Sequence, residues 1–163
     1  MIFKIKKGRH FSNQLIHKLV SSFHNSDRLS YYCIFTDTLY TDTTVDRFDV
    51  NKLFGFSIGM HHVNSYRFGW NVLDDKIHIY AYSYINSQCV IDEICIIEKD
   101  KEYKFIIKIN NGKAFFSVID EEYCIKQVIQ SAPLNKFIGY HLWPYFGGNK
   151  TPPKDIFIEL IEF

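Results

Sequence analysis

Apolar and polar residues alternate along most of this chain in short segments that are separated by turn residues. Segment 102–110, for example, places Phe105, Ile107 and Ile109 on one face and mainly polar side chains on the other, as expected for a strand with one buried face. The Asn111-Gly112 pair behind it is a strong short-range signal for a β-hairpin. We also expect turns at Asp74-Asp75 and Asn86-Ser87. The same alternation predicts about eleven strands: 2–6, 29–35, 52–59, 66–71, 76–84, 88–98, 102–110, 113–119, 122–130, 137–146 and 155–163.

Short strands at regular spacing predict an all-β fold, either a sandwich or a barrel. The chain lacks the alternation of strands and helices that is typical of parallel sheets. At most one short helix is predicted, over 14–23, where apolar residues recur at helical spacing behind a capping Asn13. Residues 36–49 are polar and predict a long exposed loop. The length of 163 residues suits a single domain, 1–163.

The two faces of segment 76–84 differ in chemistry. One face is small and apolar, and the other is a ladder of rings with polar tips: His78, Tyr80, Tyr82 and Tyr84. Sugar rings can stack on such a face while their hydroxyl groups form hydrogen bonds with it. Alternatively, the rings form a second apolar layer that the chain's own loops cover, since tyrosine is common in ordinary strands. The lysines of segment 102–110 predict that the other sheet instead has an ordinary charged outer face.

A second group of polar residues precedes the ladder, on a turn and the strand after it: His61, His62, Asn64 and Arg67. If the aromatic residues around Arg67 pack into the core, alternation puts Arg67 on the face of the ladder. A guanidinium there can pair with a carboxylate such as that of a uronic acid, or with an acidic side chain of the surface. Adjacent histidines on a strand point to opposite sides, so we predict no metal site.

The aromatic segment 137–146 supplies a third group, in which His141, Trp143 and Tyr145 share one face. Pro144 predicts an edge position or the end of a strand. His141 and Tyr145 could act as base and acid next to the ladder. Alternatively, Trp143 and Tyr145 close one end of the sandwich.

Charge and composition exclude several classes of partner. A net charge of +1, from 19 basic and 18 acidic residues, argues against a protein that neutralises nucleic-acid phosphates. No segment approaches the roughly 18 apolar residues of a membrane span. The N-terminal segment lacks the apolar stretch and cleavage site of a secretory signal peptide. We therefore expect no nucleic acid, no membrane and no cofactor, and a cytoplasmic or virion-associated location unless a leader has already been removed.

The cysteines show neither a CxxC pair nor the spacing of a metal site. They are Cys33, Cys89, Cys95 and Cys124. Because most lie among apolar or β-forming neighbours, we expect reduced, buried thiols that behave as small apolar residues.

In layout the chain resembles the concanavalin-A-like jelly rolls and, among them, the alginate-lyase-type polysaccharide lyases. Those enzymes have an arginine-rich strand, a Gln-x-His strand and a penultimate aromatic strand that ends in tyrosine. At the corresponding places this sequence has Arg67, the Ile77-His78 pair and Tyr145. The catalytic motifs themselves do not match. The resemblance implies an antiparallel jelly-roll β-sandwich with a grooved sheet that binds saccharides.

These features lead to three hypotheses of function. The leading one is a lectin-like module without catalytic activity, whose partner is a carbohydrate or another small polar ligand. An alternative is a polysaccharide lyase that acts on uronate-containing glycans, with Tyr145 or Tyr82 as proton shuttle and His78 or His141 as base. A third is a structural or assembly protein such as a phage virion component, and formation of a homo-oligomer is left open. The predicted ligand contacts are His61, His62, Asn64, Arg67, His78, Tyr80, Tyr82, Tyr84, His141, Trp143 and Tyr145.

Overall fold

A computed structural model of the chain describes residues 1–13, 28–36, 49–121, 123–132 and 139–163, except for the side chains of residues 124 and 125. The strands in these residues are β1 (Ile2–Ile5), β2 (Arg28–Phe35), β3 (Asn51–Ser57), β4 (Ser65–Leu73), β5 (Lys76–Ile85), β6 (Gln88–Ile97), β7 (Glu102–Asn110), β8 (Lys113–Asp120), β9 (Tyr123–Ser131), β10 (His141–Leu142) and β11 (Ile156–Glu162).

The strands form two antiparallel sheets that pack into a β-sandwich. The six-stranded sheet has the order β1-β11-β2-β7-β8-β9, and the five-stranded sheet has the order β10-β3-β4-β5-β6. The first and last strands are neighbours, and the middle strands follow one another as hairpins. This arrangement confirms the predicted all-β, jelly-roll-like sandwich.

The helix predicted over 14–23 and most of the loop predicted over 36–49 lie outside the described residues. In the ranges that are described, no residue is helical. These ranges therefore offer no helix long and apolar enough to cross a membrane.

The core between the sheets is built from aromatic side chains at the positions that alternation predicted. Phe68 of β4 contacts two rings of the facing sheet, Phe105 at 4.9 Å and Phe116 at 5.4 Å between ring centroids. Phe105 and Ile107 are fully buried, whereas Lys104 and Lys108 of the same strand lie on the outer face. The charged outer face predicted for the sheet that contains β7 is therefore confirmed.

Two-residue turns join the central strands of both sheets. Both residues of each turn have positive φ: 49° and 59° at Asp74-Asp75, 50° and 67° at Asn86-Ser87, and 47° and 70° at Asn111-Gly112. This is the backbone of a type I′ turn, whose twist matches that of the strands it joins. The three turns predicted at these positions are confirmed.

The aromatic segment 137–146, predicted as one strand, departs from that prediction in its described part. Within the described part of this segment, the only strand is the two-residue β10, His141–Leu142, which pairs with β3. Pro144 lacks a backbone N–H and interrupts the ladder. Pairing resumes at a single position, where Tyr145 and Lys52 exchange two backbone hydrogen bonds of 2.9 Å.

The three cysteine side chains that the structure describes, Cys33, Cys89 and Cys95, are reduced. Cys33 and Cys95 are buried as predicted, but Cys89 is exposed. It lies on β6, the edge strand of the five-stranded sheet, opposite Tyr84. No described strand covers that side, which is why the burial predicted for Cys89 is wrong. The side chain of Cys124 lies outside the described part of the chain.

Candidate functional site

A β-bulge in β3 determines which residues of that strand face outwards. The register with β4 shifts between Lys52 and Gly55, so that Leu53 and Phe54 together oppose Phe68. Both bulge residues are fully buried in the core. Lys52 and Gly55 therefore both lie on the outer face of the five-stranded sheet, where strict alternation would have placed only one of them.

Arg67 lies at the middle of this outer face, opposite Gly55 on one side and Tyr82 on the other. Its neighbours Tyr66 and Phe68 are fully buried, so the predicted orientation of Arg67 towards the ladder is confirmed. Glycine is required at position 55 because a Cβ there would overlap the carbonyl oxygen of Tyr66. The close approach of the two strands brings Lys52 and Arg67 together on one area of the outer face, which we call the patch.

The ladder on β5 is more covered than predicted. Tyr80 is 9% exposed and Tyr82 is 7% exposed, because Val50 from the segment before β3 packs on them. Gly69 makes room for this crossing, since a Cβ at 69 would meet the Val50 side chain. For Tyr80 and Tyr82 the structure therefore agrees with the alternative of a covered layer, and of the three ladder tyrosines only Tyr84 is half-exposed.

The other end of the ladder is occupied by contacts within the protein. The Tyr80 hydroxyl donates a 3.0 Å hydrogen bond to the side-chain oxygen of Asn71. His78 lies with its Nδ1 atom 3.5 Å from a carboxylate oxygen of Glu93. These contacts hold residues of the sheet and its edge strand together, and they do not involve the patch that contains Lys52 and Arg67.

The turn at 60–64 is anchored to the β5–β6 hairpin. The side-chain oxygen of Asn64 accepts a 3.0 Å hydrogen bond from the backbone N–H of Asn86, and the N–H of Ser87 donates to the carbonyl of Val63 at 2.9 Å. Asn64 therefore has a positioning role in the structure, and its predicted role as a ligand contact stays a prediction.

His61 and His62 extend from this turn towards the same patch. Their ring centroids are 4.1 Å apart, and His62 meets Tyr84 edge to face at 5.4 Å. His61 Nδ1 forms a hydrogen bond with the hydroxyl of Tyr140. Residues on a turn are not bound to alternate sides, so the divergence expected of adjacent histidines on a strand does not apply here.

The N-terminal segment lies at the opposite end of the patch. Phe11 forms an isolated β-bridge with Tyr145, and its ring meets the Tyr145 ring edge to face at 5.0 Å. His10 stacks on Tyr145 at 5.5 Å. Tyr145 is thus held between residues 10–11 and Lys52.

Trp143 and His141 lie deeper than the sequence suggested. Trp143 stacks on Phe3 at 5.3 Å and is 8% exposed, so most of its indole belongs to the core. His141 is 4% exposed. The alternative in which Trp143 closes one end of the sandwich agrees with this packing.

These elements enclose a cavity of about 400 Å³, which we call the pocket. Its lining residues are Phe11, Ser12, Lys52, His61, His62, Arg67, Tyr82, Tyr84, Leu142, Trp143, Pro144 and Tyr145.

Seven of the eleven predicted contact residues line the pocket. The four that do not are Asn64, His78, Tyr80 and His141. The lining residues that sequence reasoning missed are Phe11, Ser12, Lys52, Leu142 and Pro144. No local pattern marks Phe11, whose place depends on a bridge to a distant segment. Lys52 was not predicted because the bulge that follows it in β3 cannot be inferred from the alternation of apolar and polar residues.

Two cationic side chains in the pocket wall have no acidic partner among the described residues. Neither Lys52 nor Arg67 forms an ion pair within the described ranges, and the Arg67 Nε has no hydrogen-bond partner there. The Lys52 ammonium instead lies 4.7 Å from the centroid of the Tyr82 ring, a cation–π contact.

Burial affects the protonation of these groups. Desolvation lowers the pKa of Lys52, the charge of Arg67 lowers it further, and Asp49 partly offsets both effects. Desolvation also lowers the pKa of Arg67, although a guanidinium remains charged at ordinary pH. Burial raises the pKa of Tyr82, so its hydroxyl stays neutral. The pocket wall is therefore cationic, with neutral phenol groups around the charges.

Among the described side chains, no three of the His, Cys, Asp and Glu type come together as a metal ion would require. What the arrangement can do chemically is stack on a ring, form hydrogen bonds through phenol and imidazole groups, and attract negative charge.

Comparisons with known proteins add a likeness in overall structure. No protein-family model matches the chain, and a search of curated proteins gave no match. Among solved structures, the chain is similar to the carbohydrate-binding module CBM66 from Bacillus subtilis, with 12% identical residues and a TM-score of 0.39 over 84% of this chain and 71% of that one. A likeness of this size identifies no ligand, so any assignment of function depends on the pocket itself.

Proposed function

We propose that the chain is one jelly-roll domain of the concanavalin-A-like type that binds carbohydrate in the pocket without catalysing a reaction. The observation that carries this proposal is the convergence of aromatic and polar side chains from distant segments around one cavity of about 400 Å³. That volume is at the small end of ligand sites and suits about one or two sugar rings. The pocket is therefore suited to the end or a branch of a glycan.

The rings of the pocket are suited to hold a sugar. Phe11 lines it with a side chain that is 57% exposed, and Tyr84 lines it from the ladder strand. An apolar sugar face can stack on such rings while its hydroxyl groups meet phenol and imidazole groups. Contacts with His10 and Phe11 fix the Tyr145 ring, which reduces the entropy lost on binding.

A glycan array with the purified protein tests the proposal. We expect binding to at least one class of glycan and a loss of about tenfold or more in Tyr84→Ala, which corresponds to about 1.4 kcal/mol. Tyr123→Ala is the matched control, because Tyr123 is 79% exposed on the other sheet. Absence of binding across neutral and acidic glycans, or an unchanged affinity in a folded Tyr84→Ala protein, would contradict the proposal.

The lyase alternative has less support. Its two candidate bases, His78 and His141, both lie outside the pocket, and His141 is buried. Unsaturated ends that absorb at about 230–240 nm are the product of β-elimination on uronates. Their release from a polyuronate by the wild-type protein would overturn the non-catalytic proposal.

The assembly alternative rests on the edge of the five-stranded sheet. Strand β6 is last in that sheet and exposes Ile91 and Ile96 at 43% and 47%. An exposed edge with apolar residues can pair with another chain. Defined oligomers in sedimentation velocity would favour this alternative, whereas a monomer at high concentration would count against it.

A further inference from the structure

We propose that the pocket recognises an acidic sugar, whose carboxylate, sulfate or phosphate group is bound by Lys52 and Arg67. This inference rests on the carbohydrate function proposed above and names the class of ligand. It is drawn from the position, burial and pairing of two cationic side chains.

The two cations reach the pocket from adjacent strands. Lys52 lies on β3 opposite Gly69, and Arg67 lies on β4 opposite Gly55. Gly55 adds no side chain beside Arg67, whereas Val50 covers Gly69, and both cations line the pocket. An anion that enters the pocket can therefore meet an ammonium and a guanidinium together.

Neither charge is neutralised by the protein in the part of the chain that is described. The nearest acidic influence on Lys52 is Asp49. The Asp49 carboxylate instead packs against Gly148, where a Cβ would collide with it, and it forms no ion pair with Lys52 within the described residues. The Gly147 N–H, next in the chain, donates to the Asn51 side chain at 2.9 Å. The Lys52 ammonium packs against Gly147, so both charged groups lie at this turn without forming an ion pair within the described residues.

Two unpaired cations in one half-buried wall cost stability, because charged groups in folded proteins are normally hydrated or paired. Each also disfavours the other, since the charge of Arg67 lowers the pKa of Lys52. Costs of this kind are typical of functional sites, where a ligand supplies the missing partner. A neutral sugar would leave both charges desolvated and unpaired, whereas an anion would satisfy them.

The tyrosines near Arg67 can add hydrogen bonds to a bound anion. Three tyrosines line the pocket together with Arg67: Tyr82, Tyr84 and Tyr145. Their hydroxyl groups can donate hydrogen bonds to further oxygens of the ligand. Arg67 thus combines a fixed charge with a rim of neutral donors, which is the arrangement expected for an oxygen-rich anion.

The test compares neutral, uronate, sialylated, sulfated and phosphorylated glycans on one array, followed by titration calorimetry with the best binder. We expect binding confined to acidic glycans, and an affinity that falls about tenfold between low and high salt. Lys52→Met and Arg67→Met are each expected to lower the affinity by about tenfold or more, and Lys52→Arg to retain most of it. Lys108→Met is the control, since Lys108 is exposed on the other sheet.

The outcomes separate this inference from the proposed function. Neutral glycans that bind as well as acidic ones, without dependence on salt, would overturn the inference and leave the carbohydrate function standing. Binding of sodium phosphate or sodium sulfate without binding of any glycan would support the anion site and overturn the carbohydrate function. If neither glycans nor these anions bind, both are overturned. The salt series on the wild-type protein decides the matter even if a methionine variant fails to fold.

Discussion

Lys52 and Arg67 are the residues of the pocket in which charge and burial conflict. Each keeps a charge in a wall that water reaches only in part, and within the described residues no carboxylate forms an ion pair with it. For Lys52, burial holds the folded-state pKa below the ordinary value. The unfolded chain then binds more protons between the two values, so this group makes the protein more stable as pH rises through that window.

Removing the guanidinium should stabilise the protein without ligand. We expect Arg67→Met to raise the free energy of unfolding by roughly 1 kcal/mol, because the substitution replaces a desolvated, unpaired charge with an apolar side chain of similar length. Denaturant unfolding measures this effect. Arg9→Met, at an exposed position, should change it by less than about 0.5 kcal/mol. A stability loss in Arg67→Met as large as that of a core truncation would contradict the view that the charge is kept for binding.

Affinity for an acidic glycan should depend on the protonation of Lys52. Because burial lowers the pKa of Lys52, we expect affinity to fall as pH rises through a range below that in which an exposed lysine loses its proton. Lys52→Arg should abolish most of this decline. The charged and titratable groups around the ammonium or in the same pocket, within the described residues, are Asp49, His61, His62, Arg67, Tyr82, Tyr84, Cys89 and Tyr145.

Cys89 is a second ionisable group that acts on the Lys52 ammonium, so its contribution has to be separated from that of Lys52. A Cys89→Ser variant separates the two. If Cys89→Ser rather than Lys52→Arg removes the pH dependence, the role assigned to Lys52 is wrong.

At the scale of single elements, the bulge in β3 decides the composition of the pocket wall. It returns Phe54 to the core and places Gly55 beside Arg67. We expect Gly55→Ala to cost about 3 kcal/mol of stability, because the added methyl group would overlap the backbone of β4. Thermal or denaturant unfolding provides the measurement.

Gly59→Ala is the control for this prediction. Gly59 has a φ of +72° but open space around a Cβ, so alanine there should cost only about 1 kcal/mol of backbone strain. Equal losses in the two variants would show that the close approach at Gly55 is not the cause.

The turn at 60–64 should depend on Asn64. Loss of its side-chain acceptor in Asn64→Ala leaves the Asn86 N–H without its 3.0 Å partner and should cost about 1 kcal/mol. His61 and His62 should move with the turn, which NMR of their ring protons can detect. Asn64→Asp keeps the acceptor and should preserve both the stability and the ring resonances. An unchanged spectrum in the alanine variant would rule out this positioning role.

At the scale of the whole molecule, a buried glutamine side chain links the two sheets on the side of the sandwich where β6 and β9 lie. Gln130 of β9 donates to the Ala81 carbonyl at 3.3 Å and to the Asp92 carboxylate at 2.7 Å, both in the other sheet. We expect Gln130→Ala to lower the free energy of unfolding by about 1–2 kcal/mol.

Gln127→Ala is the matched control on the same strand. Gln127 is exposed and donates to Ser117 within its own sheet, so its loss should cost less than about 0.5 kcal/mol. Similar effects of the two substitutions in denaturant unfolding would argue against a special role for the contact between the sheets.

The sequence by itself determined the strands, the turns and the side chains that share a face. The alternation in β5 and β7 and the Asn-Gly and Asp-Asp pairs are local signals, because side-chain direction and turn geometry depend on neighbouring residues. For the same reason the orientation of Arg67 towards the ladder could be predicted from its buried neighbours.

Only the tertiary structure decided which of those faces are open and which residues meet. Val50 covers Tyr80 and Tyr82, the bulge brings Lys52 beside Arg67, and Phe11 reaches Tyr145 from the far end of the chain. Each of these depends on how two distant segments pack and in which register they pair, and alternation within one strand carries no information about either. The pocket is therefore a product of long-range contacts, although most of its aromatic and cationic side chains stand out in the sequence.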